Sequence, residues 1–156
     1  MKDDEFKVAV IRPPIVYGKN CRGNYPRLAK MALRLPIFSN IDNERSMIYI
    51  DNLSEFIRIL INNSSSGLFF PQNKSYVNTT ELVRLIAKVH GKEIKTTKLF
   101  NWCVSLGIKK SAMFRKVFGS LVYEKEMIGG PKSLMRDAHL DYEMILFDES
   151  IKCTEH

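Results

Sequence analysis

Apolar residues recur at helical spacing in three parts of the chain. In YPRLAKMALRL, Leu28, Met31, Ala32 and Leu35 share one face while Arg27, Lys30 and Arg34 point elsewhere; Asn24 is placed to cap the start and Pro36 stops the end. LSEFIRILINN repeats the pattern with Leu53, Phe56, Ile57, Leu60 and Ile61, opening from a cap at Asp51 or Asn52 and ending at Ser64 to Gly67. The third, SYVNTTELVRLIAKVHG, is capped by Asn78, Thr79 or Thr80 and closed by Gly91.

Short runs rich in β-branched and aromatic residues precede each helix. KVAVIR (7–12) reads as a buried strand ended by Pro13-Pro14, with a loop from there to Asn24. SMIYI (46–50) and GLFFPQ (67–72) read as strands, and IFSNIDNE (37–44) as a polar connection with a short strand at its start. EIKTTKLF (93–100) reads as an edge strand, its lysines discouraging further pairing. NWCVSLGIKKSAMFRKVFG is expected to be helical on both sides of Gly107 and closed by Gly119, with Trp102 and the phenylalanines in the core. A Gly-Gly-Pro loop (129–131), a strand at 142–147 and a short acidic helix complete the reading. Strand, turn and capped helix alternate, so the expectation is one α/β module over 1–156.

Composition supports a folded domain: 45% of the 156 residues are apolar and 10% aromatic. No apolar run approaches the roughly 18–20 residues of a spanning helix, and MKDDEF is acidic where a secretory signal would be basic, so a cytoplasmic protein is expected. Cys21, Cys103 and Cys153 are too few and too far apart for a disulfide framework or a zinc site and are read as reduced thiols. The net charge is +7, which favours anionic partners. Its distribution matters more. Residues 92–125 carry eight basic and two acidic side chains, a net of +6, while the rest of the chain nets +1.

Chemistry is sparse. There is no GxGxxG turn and no P-loop, since GKNCRG at 18–23 lacks the Lys-Ser/Thr pair. His90, His139 and His156 are isolated, with His90 read as a surface residue near a helix end, and no GxSxG elbow occurs. The residues alone define no catalytic set and no metal site.

Two segments taken together carry a resemblance: RPPIVYG (12–18) after a strand, and RSMIYIDNLSEFI (45–57) after a polar loop. They resemble the R-P-x-x-v-Y-G and R-x-x-x-x-v-x-D-l-a segments of the extended short-chain dehydrogenase/reductases, the NAD-dependent epimerase/dehydratase family. The likeness runs through about residue 98, and FGSLVYEKE with DYEMILFDESIK resembles the tail of the UDP-glucose 4-epimerase-like members. It implies an α/β fold that is the C-terminal, substrate-binding part of an extended Rossmann-type, doubly wound architecture, with the N-terminal NAD-binding half absent. The family's Gly-rich turn and Tyr-x-x-x-Lys pair have no counterpart here: Tyr17, Tyr25, Tyr49, Tyr76, Tyr123 and Tyr142 are followed four residues on by Cys21, Ala29, Leu53, Thr80, Met127 and Leu146. In the family that lysine and the cofactor lower the tyrosine's pKa for proton transfer to or from a sugar hydroxyl. The expectation is therefore a UDP-sugar-binding portion of an NAD-dependent epimerase or dehydratase, inactive alone. NAD would belong to the full-length parent and none would stay bound here.

The resemblance also assigns residues. Arg45 would contact the sugar nucleotide's diphosphate, for which a planar guanidinium is suited, or would be a surface arginine bonding its loop. Asn24 would meet the nucleotide or sugar, or act as a plain N-cap, and Ile15 and Tyr17 would face the sugar, unless Tyr17 packs in the core. Pro13 and Pro14 would pass the nicotinamide end of NAD. Lys19 and Arg22 could add positive potential. Expected partners are a UDP-sugar, the missing N-terminal half, and a second copy through the open edge of KVAVIR, with no DNA. The competing class is a non-enzymatic basic module that uses 92–125 on nucleic acid or an anionic membrane surface.

Overall fold

The computed structural model describes residues 6–123 and 142–156. Among the described residues, six short strands form three parallel pairs. β1 (Ala9–Ile11) pairs with β5 (Gly67–Phe69), β2 (Ile15–Tyr17) with β4 (Met47–Tyr49), and β3 (Ile37–Ser39) with β6 (Lys95–Thr97). At least one helix separates the strands of every pair, the crossover that parallel pairing requires.

β2 lies inside what the sequence presents as a loop. The two prolines hide it: they donate no amide, but pairing begins just after them, in the register Ile15↔Met47, Val16↔Ile48, Tyr17↔Tyr49. β1 differs in the opposite sense. The sequence reads it as buried, yet Val8 and Val10 are 51% and 45% exposed, because β5 covers one edge and only Ile11 reaches the small cluster of Phe56, Leu60 and Phe69.

The helices follow their apolar periods. α1 (Tyr25–Arg34) buries Tyr25, Leu28 and Ala32, and α3 (Thr79–Val89) buries Leu82, Val83, Ile86 and Ala87 against it. Asn78 caps α3, its Oδ1 accepting from the Thr80 and Glu81 amides at 2.8 and 3.2 Å while its Nδ2 donates to the Ile41 and Asn43 carbonyls. Gly91 follows α3 at φ 68°, the left-handed turn that glycine adopts without strain.

α2 (Ile50–Asn62) starts two or three residues earlier than a cap at Asp51 or Asn52 would place it, so both lie in its first turn and neither caps it. Asn52 instead exchanges two hydrogen bonds with the peptide of Ile145, at 2.9 and 3.1 Å. Residues 142–146 are consequently an irregular strap and not the strand that their alternation suggests. Tyr142 reaches Phe56 and the Gln72 backbone, whereas Met144 and Leu146 face solvent.

α4 (Asn101–Lys110) and α5 (Ala112–Phe118) meet where the Phe114 ring lies over Gly107, leaving no room for a Cβ there. α4 buries none of its residues, and Phe100, Trp102 and Phe114 are exposed, contrary to the core positions expected of them. Val117 and Phe118, at the end of α5, are buried in the core, and the half-buried Val104 and Ile108 of α4 pack against it. α6 (Phe147–Glu155) closes the structure by packing on α3 with Ile151 buried. The Gly-Gly-Pro loop at 129–131 lies outside the described residues.

Candidate functional site

Arg45 sits on an extended stretch gripped from both sides. Its own amide and carbonyl pair with Val77 at 3.0 and 2.9 Å, while the neighbouring Ser46 amide and Glu44 carbonyl bond Leu121 at 2.8 and 3.1 Å. The side chain is 2% exposed and turns under the end of α5. There Nη1 donates to the Val117 carbonyl and Nη2 to that of Lys116 at 2.6 Å. Asn24 Nδ2 reaches the same Lys116 oxygen at 2.7 Å, and Asn43 Nδ2 donates to the Phe118 carbonyl at 2.8 Å.

Three side chains thus converge on the last carbonyls of one helix. These oxygens have no partner within the helix and carry the negative end of its dipole, so a cation with forked donors complements them. Burial lowers the Arg45 pKa from its ordinary value, and Nε, buried beside the pair, has no partner. Asn24 stands at the N-cap position of α1 but makes no side-chain cap bond, because its amide is turned to α5.

Tyr17 is elsewhere. It is fully buried, its hydroxyl bonded to Ser150 Oγ at 2.6 Å and approached by Asn73 Nδ2 at 3.3 Å, and its ring stacks on Tyr25. Of its two sequence readings, core packing is the one whose contacts are present. Tyr25 donates to Glu155 Oε1 at 2.8 Å, and the other Glu155 oxygen bonds His90 at 2.7 Å. His90 therefore ties α3 to α6 across the exposed end of the helix. Ile15 is half-buried on β2 against the core, and Pro13 and Pro14 form the bare link between β1 and β2. The structure gives Arg45 and Asn24 a shared acceptor, whereas the Tyr17 hydroxyl is directed to Ser150 and Asn73 and the Ile15 side chain to the core.

An open cleft of about 620 Å³ lies between the 18–21 loop, α1 and the end of α6, lined by Gly18, Asn20, Cys21, Tyr25, Lys30 and Glu155 among others. Arg45 does not line it. Asn43 is the residue that sequence reasoning missed: it looks like any polar loop residue, yet it is buried, bonding Thr79 through both ends of its amide as well as Phe118. Among the described residues no group of His, Cys, Asp and Glu could hold a metal ion.

No family model matches the chain. A curated UDP-glucose 4-epimerase from Vibrio cholerae is 32% identical over 123 residues, covering 76% of this chain and 35% of that protein. N-acetyl-alpha-D-glucosaminyl-diphospho-ditrans,octacis-undecaprenol 4-epimerase from Escherichia coli O157:H7 is 27% identical over 99 residues, covering 61% of this chain and 30% of the relative. The solved UDP-glucose 4-epimerase of Thermus thermophilus, in complex with NAD, superposes with a TM-score of 0.62 at 17% identity, covering 96% of this chain and 45% of that one. The chain spans about a third of the length of the curated relatives it matches. It belongs to the extended short-chain dehydrogenase/reductases, an α/β family with a Rossmann-type fold. Within them it groups with the NAD-dependent epimerases of the UDP-glucose 4-epimerase type and corresponds to the C-terminal part of their chains.

Proposed function

We propose that this chain is the nucleotide-sugar-binding portion of an NAD-dependent sugar epimerase, with a UDP-sugar as its ligand. The observation that carries the reading is the convergence of Arg45 and Asn24 on one oxygen, the Lys116 carbonyl, at 2.6 and 2.7 Å. Two donors aimed at one electron-rich oxygen are what a phosphate needs, and the free Nε beside them offers a third. A diphosphate would take the place of the α5 carbonyls, so binding requires the end of α5 to shift.

The residues present do not fit a whole cofactor. The sequence has no Gly-rich turn to cradle a pyrophosphate and no Tyr-x-x-x-Lys pair, leaving only Pro13 and Pro14 as the stretch that would pass the nicotinamide. Hydride transfer therefore belongs to a partner segment, and this chain's share is to bind and orient the sugar nucleotide, in a cytoplasmic setting.

Calorimetry with UDP and UDP-glucose on the 156-residue chain tests this. The expected result is weak UDP binding, with Arg45→Lys and Asn24→Ala each weakening it by about 1.5–3 kcal/mol, the worth of a charge-assisted bond. The chain alone should neither retain NAD nor epimerise UDP-glucose. Turnover by the chain alone, or UDP affinity unchanged in a folded Arg45→Lys variant, overturns the proposal.

A further inference from the structure

α4 sets only the half-buried Val104 and Ile108 against the core, and its exposed face is ordered along its length. Leu99 and Phe100 just ahead of it, then Trp102 and Leu106 within it, are 77%, 52%, 65% and 46% exposed. Trp102 and Leu106 are four residues apart and so share a face, which Lys109 and Lys110 continue through the last turn. From Lys95 to Lys116 the sequence has no acidic residue. A face that is aromatic and aliphatic at one end and cationic at the other matches the gradient from acyl chain to anionic headgroup.

From this we infer that the α4 face, with the approach through Leu99 and Phe100, rests on an anionic phospholipid surface. The charge selects the occupant. A neutral protein partner would have no use for six basic side chains without an acidic one between Lys95 and Lys116. Nucleic acid would use the lysines and could stack on Trp102, but it offers nothing to Leu99 and Leu106. A bilayer takes both, the lysines at the headgroups and the apolar side chains in the interfacial layer. The contact is peripheral, since no helix among the described residues is long and apolar enough to cross a membrane. It does not depend on the nucleotide-sugar reading.

Trp102 is the only tryptophan in the chain, so its fluorescence reports on this face alone. The 156-residue protein is titrated with phosphatidylcholine vesicles and with vesicles rich in phosphatidylglycerol. The expected result is a blue-shifted emission with the anionic vesicles, quenching by brominated acyl chains, and loss of both in high salt. Lys109→Ala with Lys110→Ala should weaken partitioning roughly tenfold to thirtyfold. Trp102→Ala should weaken vesicle flotation while the circular dichroism of both variants stays that of the parent. Emission unmoved by anionic vesicles overturns the inference. So does the same shift produced by duplex nucleic acid, or by raising protein concentration without lipid, which would assign the face to nucleic acid or to a second copy.

Discussion

Tyr17, Tyr25 and Tyr49 meet in the core, with the Tyr17 ring centre 5.6 Å from each of the other two. Burial pushes all three phenols up, and Asp51 beside Tyr49 adds to the effect, taking it to about 12. The neutral phenol is the form the fold favours. Its contribution is complete below the unfolded value near 10 and is lost as pH rises through 10 towards 12. The melting temperature is therefore expected to hold from about pH 7 to 9 and to fall above about 10, with phenolate absorbance appearing together with unfolding. Tyr17, Tyr25 and Tyr49 ionising near the ordinary value in a folded protein would contradict this. At this scale the sequence conveyed identity better than environment. Arg45 stood out by its motif, but nothing near it announces that its partners are carbonyls some seventy residues away, at Lys116 and Val117.

Among the elements, α3 is the best anchored, because its cap also staples the 41–43 stretch that leads to Arg45. Asn78→Ala removes two cap bonds and two outgoing donors and should cost about 1–2 kcal/mol or more in denaturant unfolding. Asn78→Ser, which can still cap, should recover part of it; equal loss in both would mean that the outgoing bonds carry the effect. The helices α1 and α3 were legible because period, cap and stop agree within a dozen residues. β2 was not, since three residues between a Pro-Pro pair and a glycine carry too little pattern to outweigh those breakers. The 142–147 stretch misled for a related reason: alternation is also what a strap shows when Tyr142 anchors inward and Met144 and Leu146 face out. In α4, apolar content suggested full burial, but only Val104 and Ile108 pack against the core, each partly buried, while Trp102 and Leu106 stay exposed.

On the scale of the whole molecule, three separate strand pairs among the described residues leave open edges, and β1 with the residues ahead of it exposes Phe6, Val8 and Val10 beside Leu68. Such an edge is a template for pairing. We expect concentration-dependent self-association by light scattering, abolished by Val10→Lys; a monomer at every concentration would show that the edge is protected. The fold, then, was readable as alternating strands and helices, while the way the pairs leave surface uncovered was not. Two contacts of very large sequence separation bear on how the core is assembled. Tyr17 finds its hydroxyl partner in Ser150, 133 residues away, and Tyr25 finds Glu155 at a similar remove. The tyrosine cluster is therefore sealed only once α6 has come back to α1 and β2, and closing loops of that length is a step that slows folding.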